Sequence, residues 1–193
     1  MMNTRYTTVA IVLHWAIAAL IVLNLYLGWR MGFLKGLAQF NIFQLHKSVG
    51  VTILLLSLLR LAWRLANPPP APPPTLQPWE RAASAAVHCS FYVIMIGMPL
   101  TGWIIVSTSS LNIPTLLYHL VPWPYFPGVH ELQAPVRKAV NQGFGLTHET
   151  LAFGTLGLLA LHLGAVAKHE LLDRIPLLAR MAPGLGLTSK AET

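Results

Sequence analysis

Charge is what this sequence has least of. Of its 193 residues only 13 are Lys or Arg and 6 are Asp or Glu. Charged residues therefore make up 10% of the chain, where a soluble domain carries about a quarter. So few charges cannot cover a water-exposed surface of this length. With 54% hydrophobic residues and a mean hydropathy of +0.57, the chain reads as an integral membrane protein. Acidic residues are the scarcer sign, which leaves a formal net charge of +7. In a soluble chain that excess would suggest nucleic acid. Here the basic residues gather near the ends of apolar stretches, where they meet lipid headgroups, and no nucleic-acid partner is expected. Cysteine is nearly absent as well. The single Cys89 lies in an apolar run and excludes an internal disulfide, a Cys-rich metal site and an iron–sulfur cluster. The first apolar run is too long for the core of a secretory signal, and no small-residue cleavage site follows it.

What is present is apolar sequence in four blocks, within a length that suits one domain. A helix crossing the hydrocarbon needs about 20 mainly apolar residues. Spans are expected at about 9–29, 45–65, 83–106 and 146–167, giving an all-α four-helix membrane bundle. Between the second and third, Asn67-Pro-Pro-Pro-Ala-Pro-Pro-Pro74 reads as a stiff polyproline connector. The stretch 107–145 is rich in Pro and aromatics (Trp123, Pro124, Tyr125, Phe126, Pro127) and reads as an outer cap, with one short helix near Glu131 to Asn141.

Four spans put both termini on one side. With the termini inside, Arg5, Arg60, Arg64, Arg81, Lys168, Arg174, Arg180 and Lys190 face the cytoplasm, and Arg30, Lys35, Lys47, Arg137 and Lys138 face out. The positive-inside rule therefore favours cytoplasmic termini.

The histidines carry the functional reading. Four of the eight, His14, His46, His148 and His162, lie within the apolar spans, where an ionisable residue is costly and faces the bundle interior with a partner. His14 and His162 each stand five residues from a cytoplasmic helix end, so their heights match. His46 and His148 both fall in about the first turn of spans starting on the outer side. His148 and His162 are 14 residues apart, about 40° short of four full turns and about 21 Å along the axis. That is too far for one metal ion and suits two stacked haems. His14 would complete the inner one and His46 the outer one. Ligation by two neutral imidazoles leaves no open position on iron, which suits electron transfer. Singly, each histidine reads as an interhelical hydrogen-bonding group; the paired depths favour haem.

Gly50, Gly154 and Gly164 would let helices approach a flat macrocycle, or simply pack. Arg60 and Arg64 reach the height of the inner haem, either to pair with its propionates or to snorkel to headgroups. His88 on the third span has no depth-matched partner left over: it is a quinone-site residue or a satisfied polar group. His169 follows His162 by seven residues on the same face and serves either quinone and proton exchange or only a solvated helix end. His119 and His130 read as surface residues of the cap.

Several short motifs then line up in order. They are Arg5-Tyr6, Val12-Leu-His-Trp15, Leu45-His-Lys-Ser-Val-Gly50, Leu59-Arg-Leu-Ala-Trp-Arg64, Met98-Pro-Leu-Thr-Gly-Trp103, His148-Glu149, Leu161-His162 and Lys168-His169. In this order and spacing the chain, from Arg5 to about Met181, resembles the bacterial cytochrome b561 family of small di-haem, quinone-linked proteins. The resemblance implies axial ligation by His14, His46, His148 and His162, and a quinone site near the inner haem at His88 and His169. It departs from the family at Lys168-His169-Glu170, where a second histidine commonly follows the first. Some members oxidise superoxide at the outer face and reduce ubiquinone; others serve periplasmic redox partners.

Two functional classes follow. One is a superoxide:ubiquinone oxidoreductase, whose donor meets basic residues near the outer haem, Lys47, Arg137 and Lys138. The other is a haem-b membrane anchor subunit passing electrons for a partner dehydrogenase, hydrogenase or periplasmic redox protein. A four-helix scaffold or transporter without cofactor leaves the histidine pairs unexplained.

Overall fold

The computed structural model describes residues 5–182; Lys190, counted above among the inner charges, lies outside them. Four long helices dominate: α1 (Thr8–Met31), α2 (Gly36–Ala66), α3 (Pro78–Thr108) and α4 (Ala134–Ala167). All four are long and apolar enough to cross a membrane. They pack in chain order, α1 on α2, α2 on α3 and α3 on α4.

The distribution of side chains is that of a protein dissolved in lipid. Val12, Leu23, Leu55 and Leu163 face outward, whereas Ser48, Ser57, Thr101 and Thr155 are buried between helices. Small hydroxyl residues allow close helix approach and return their own hydrogen to a carbonyl one turn back. Ser48 donates to Gln44 O (2.8 Å), Thr52 to Ser48 O (3.0 Å) and Thr155 to Leu151 O (2.7 Å). The small apolar core is Leu27, Val49 and Ile53, with Leu20, Ile21 and Ile42 against it.

The helices run well past the apolar blocks that mark them in the sequence. α2 begins at Gly36 rather than about Leu45, because its first turns carry Gln39, Asn41 and Gln44 and lack the hydrophobic signature. α4 begins at Ala134 and absorbs the short helix expected near Glu131 to Asn141 without a break. His46 therefore stands ten residues into α2 and His148 fourteen residues into α4, rather than in a first turn. The outer connection shortens to residues 109–133 and contains a two-stranded hairpin, Thr115–Leu117 paired antiparallel with Val121–Trp123.

That connection is a pinned cap. Gln44 Nε2 donates to Pro114 O (3.0 Å), Ser48 Oγ accepts from Tyr118 N (2.9 Å) and Ser107 Oγ accepts from Phe126 N (2.8 Å). Trp103 Nε1 donates to Pro124 O (2.8 Å). At the opposite end the proline-rich connector has no hydrogen bonds of its own to offer, and its carbonyls are taken by arginines. Arg81 binds Pro74 O (2.8 Å) and Leu76 O (3.0 Å), and Arg180 binds Ala71 O (2.7 Å).

Candidate functional site

α4 is continuous helix from His148 to His162, so the two stand about 21 Å apart along its axis. Each meets a histidine from another helix. The ring centroids of His46 and His148 are 6.2 Å apart with planes at 78°, and those of His14 and His162 are 6.3 Å apart at 70°. A nitrogen ligand sits about 2 Å from a transition metal, so two rings on opposite sides of one ion have centroids roughly 6 Å apart. Both pairs have that spacing.

The helices behind the pairs sharpen this. His46 and His148 join α2 to α4, and His14 and His162 join α1 to α4, neither of which is a closely packed helix pair. Each pair thus faces across a gap. Between α1, α2 and α3 and the face of α4 lies a cavity of about 210 Å³ lined by His46, His148, Gly50, Met95, Met98 and Gly102, among others. His88 is also 6.2 Å from His162, which gives it the close neighbour that spacing alone did not reveal. It comes from α3, however, which packs directly on α4.

At the outer pair the rings are held by their second nitrogens. His46 Nδ1 lies 3.1 Å from Asn24 O, and His148 Nδ1 lies 3.1 Å from Met98 O and 2.8 Å from Thr101 Oγ1. Carbonyls only accept, so both Nδ1 atoms carry the hydrogen and both Nε2 atoms are left with free lone pairs. Thr101 gives its own hydrogen to Met98 O (2.7 Å) and accepts from His148. Two glycines make room: a Cβ on Gly28 would lie 3.3 Å from His46 Cε1, and one on Gly102 would lie 3.2 Å from His148 Cε1. A Cβ at Gly154 or Gly164 would meet no protein atom. Gly50 touches Asn24. Two polar atoms lining the cavity residues, Asn24 Oδ1 and Trp123 Nε1, are buried without a partner. An apolar slot, imidazoles with free Nε2 lone pairs and orphaned polar atoms at the rim fit a haem.

The inner pair is furnished differently. Among the described residues, neither His14 nor His162 hydrogen-bonds through its ring; His162 instead touches Phe91 and His88. Arg60 lies close to this group and reaches Ala10 O (3.4 Å). Arg64 lies over the Tyr92 ring, 5.8 Å from its centroid. Both arginines lie near the His14, His88 and His162 group.

Past Ala167 the helix widens into one π-helical turn, Lys168–Leu172, that buries His169 and Glu170. His169 Nδ1 lies 2.7 Å from Asp173 Oδ2; Lys168 Nζ binds the same oxygen at 2.7 Å and Glu80 Oε1 of α3 at 2.6 Å. Hydrogen bonds from Lys168 and then His169 hold the Asp173 carboxyl below the usual carboxylate range. Sequence reasoning missed Asp173 and Glu80, although the four-residue spacing from His169 to Asp173 was there to be read.

The structure divides the three outer donor candidates. Lys47 is buried beneath the cap, its ammonium donating to Pro114 O (3.2 Å) and sitting 4.8 Å from the Phe43 ring centre, and it lines the cavity. Lys138 is exposed and Arg137 partly so, on the first turn of α4. His119 is exposed on the cap, whereas His130 is half-buried, stacked on Tyr125 and bonded to Ser107 O (3.1 Å).

Lipid-facing helices that hold histidine pairs across slots form a membrane cytochrome of the b type. A model of the prokaryotic cytochrome b561 family matches residues 5–184, and the chain belongs to that family. It is similar to cytochrome b561 homolog 2 of Escherichia coli (strain K12), 28% identical over 92% of this chain and 90% of that protein. It is also similar to cytochrome b561 homolog 1 of the same organism, 27% identical over 93% and 97% of the two chains. The protein is thus a bacterial multi-pass membrane electron carrier that uses b-type haem.

Proposed function

We propose that the chain holds two haems b and passes electrons from a donor at its outer face to ubiquinone at its inner side, with cytoplasmic termini. The observation that carries this is the pair of histidine couples, each spanning helices that do not pack on one another. His46 and His148 would hold the outer haem, His14 and His162 the inner one. When bound, haem supplies reversible one-electron chemistry. The chain's own residues do the rest. Asn24, Met98 and Thr101 fix the outer imidazoles in the tautomer that leaves Nε2 free. Lys47, walled in beside that slot, would supply positive charge to a bound haem rather than meet a donor at the surface. Arg60 and Arg64 would do the same at the inner level, and His88 and His169 flank the place where a quinone enters from lipid.

Superoxide is the donor we favour. Arg30, Lys35, Arg137 and Lys138 give the outer face a positive field that attracts a small anion. The test is stopped-flow mixing of oxidised holoprotein with superoxide. Haem reduction that slows with added salt is expected; no reduction by superoxide at any salt, while a small artificial donor succeeds, would remove the donor assignment. The anchor-subunit reading has one observation in its favour: Leu111, Leu120 and Val121 project from the cap with most of their surface bare, and a partner could cover them.

A further inference from the structure

The turn after α4 is not explained by haem holding. His169 is 9% exposed, and the Asp173 side chain that its Nδ1 meets is 29% exposed. The pair therefore links a buried imidazole to cytoplasmic water. Resting on the quinone reading above, we propose that Asp173 is a positioning residue that charges His169 with protons for quinone reduction.

Charge balance supports it. The groups around His169 are Lys168, Glu170 and Asp173 from its own turn and Glu80 from α3. Lys168 bridges Glu80 and Asp173, so one cation meets two carboxylates and one negative charge remains uncompensated. A proton on His169 balances it. Glu170 does not offset this, since its Oε1 accepts from Leu178 N (2.5 Å) and its Oε2 is buried without a partner. The Lys168–Glu80 bond also ties the turn to α3, the helix that carries His88. The tie stands beside His169, the residue next to Lys168, and His88 follows Glu80 by eight residues, about 12 Å along α3.

The step balances simply. Reduction of a quinone to a quinol takes two electrons, which a bound haem would supply singly, and two protons. His169, protonated from cytoplasmic water, gives the Nε2 proton to a quinone oxygen. It returns to neutral with its Nδ1 hydrogen still donated to the Asp173 carboxylate, and takes up the second proton from water.

The test uses dithionite-reduced holoprotein mixed with a short-chain ubiquinone, and separately with ferricyanide, which takes electrons without protons. For Asp173→Asn we expect quinone-driven reoxidation at least about tenfold slower near pH 8, recovering as the pH is lowered, because general acid catalysis is worth about a hundredfold or more. Ferricyanide rates and haem spectra should be unchanged, and Asp173→Glu should restore the quinone rate. Equal rates for Asp173→Asn and the native protein at every pH would overturn the proposal, and so would a loss that is the same at every pH or shared with ferricyanide. Failure of ubiquinone to oxidise the native protein at all would instead bring down the quinone reading itself.

Discussion

The two histidine pairs have the same ring spacing and quite different surroundings. The outer pair is braced: each imidazole gives its Nδ1 hydrogen to a backbone carbonyl, each has a glycine at its edge, and a pinned cap closes the slot above. Among the described residues the inner pair has no such bracing, and is surrounded instead by a third histidine, two arginines and, beyond them, a partly exposed ion-paired turn. Bracing suits a cofactor that must stay put while electrons arrive. A looser, more polar neighbourhood suits the end where a second molecule must enter, take up protons and leave.

The largest effects that test this difference are losses of haem. His46→Ala or His148→Ala should remove the outer haem and keep the inner, and His14→Ala or His162→Ala the reverse, read from haem content and redox titration. His88→Ala should keep both, since His88 comes from a helix packed directly on α4 rather than from across the gap; loss of a haem in that variant would break the cross-gap assignment.

Crowding comes next. Gly102→Val and Gly28→Val should abolish the outer haem, because even a Cβ already lies 3.2 Å and 3.3 Å from the ligand rings. Gly154→Val, with no protein atom nearby, should leave protein packing at that position unchanged; haem content in the three variants ranks the slots. A smaller effect is expected from Thr101→Val, which removes one of the two bonds at His148 Nδ1 and leaves Met98 O in place. Outer-haem retention should weaken by about tenfold, at the lower end of what supporting hydrogen bonds contribute to metal ligands. The smallest concerns the donor: replacing Arg137 and Lys138 by Gln should slow superoxide-driven reduction severalfold at low salt and hardly at all at high salt.

Much of this was legible in the sequence, for reasons that can be named. The spans were visible because lipid leaves no use for charge, and the pairing because a 14-residue interval on one helix is a matter of rise and rotation alone. The helix starts were not visible, since the polar first turns of α2 and α4 stand above the hydrocarbon and carry no hydrophobic mark. Lys47 read as a surface charge because nothing in a sequence shows that Pro114, 67 residues away, lies over it. Gly28 and Gly102 were missed because they approach the rings from other helices and nothing along the chain marks them. Tertiary contact decides such matters, and local pattern does not.

The central claim is that two cross-gap histidine pairs each hold a haem. Its most direct test is the haem content of the intact, purified protein by pyridine haemochrome. The account predicts two b haems per chain, both low-spin; one haem per chain, or none, would contradict it.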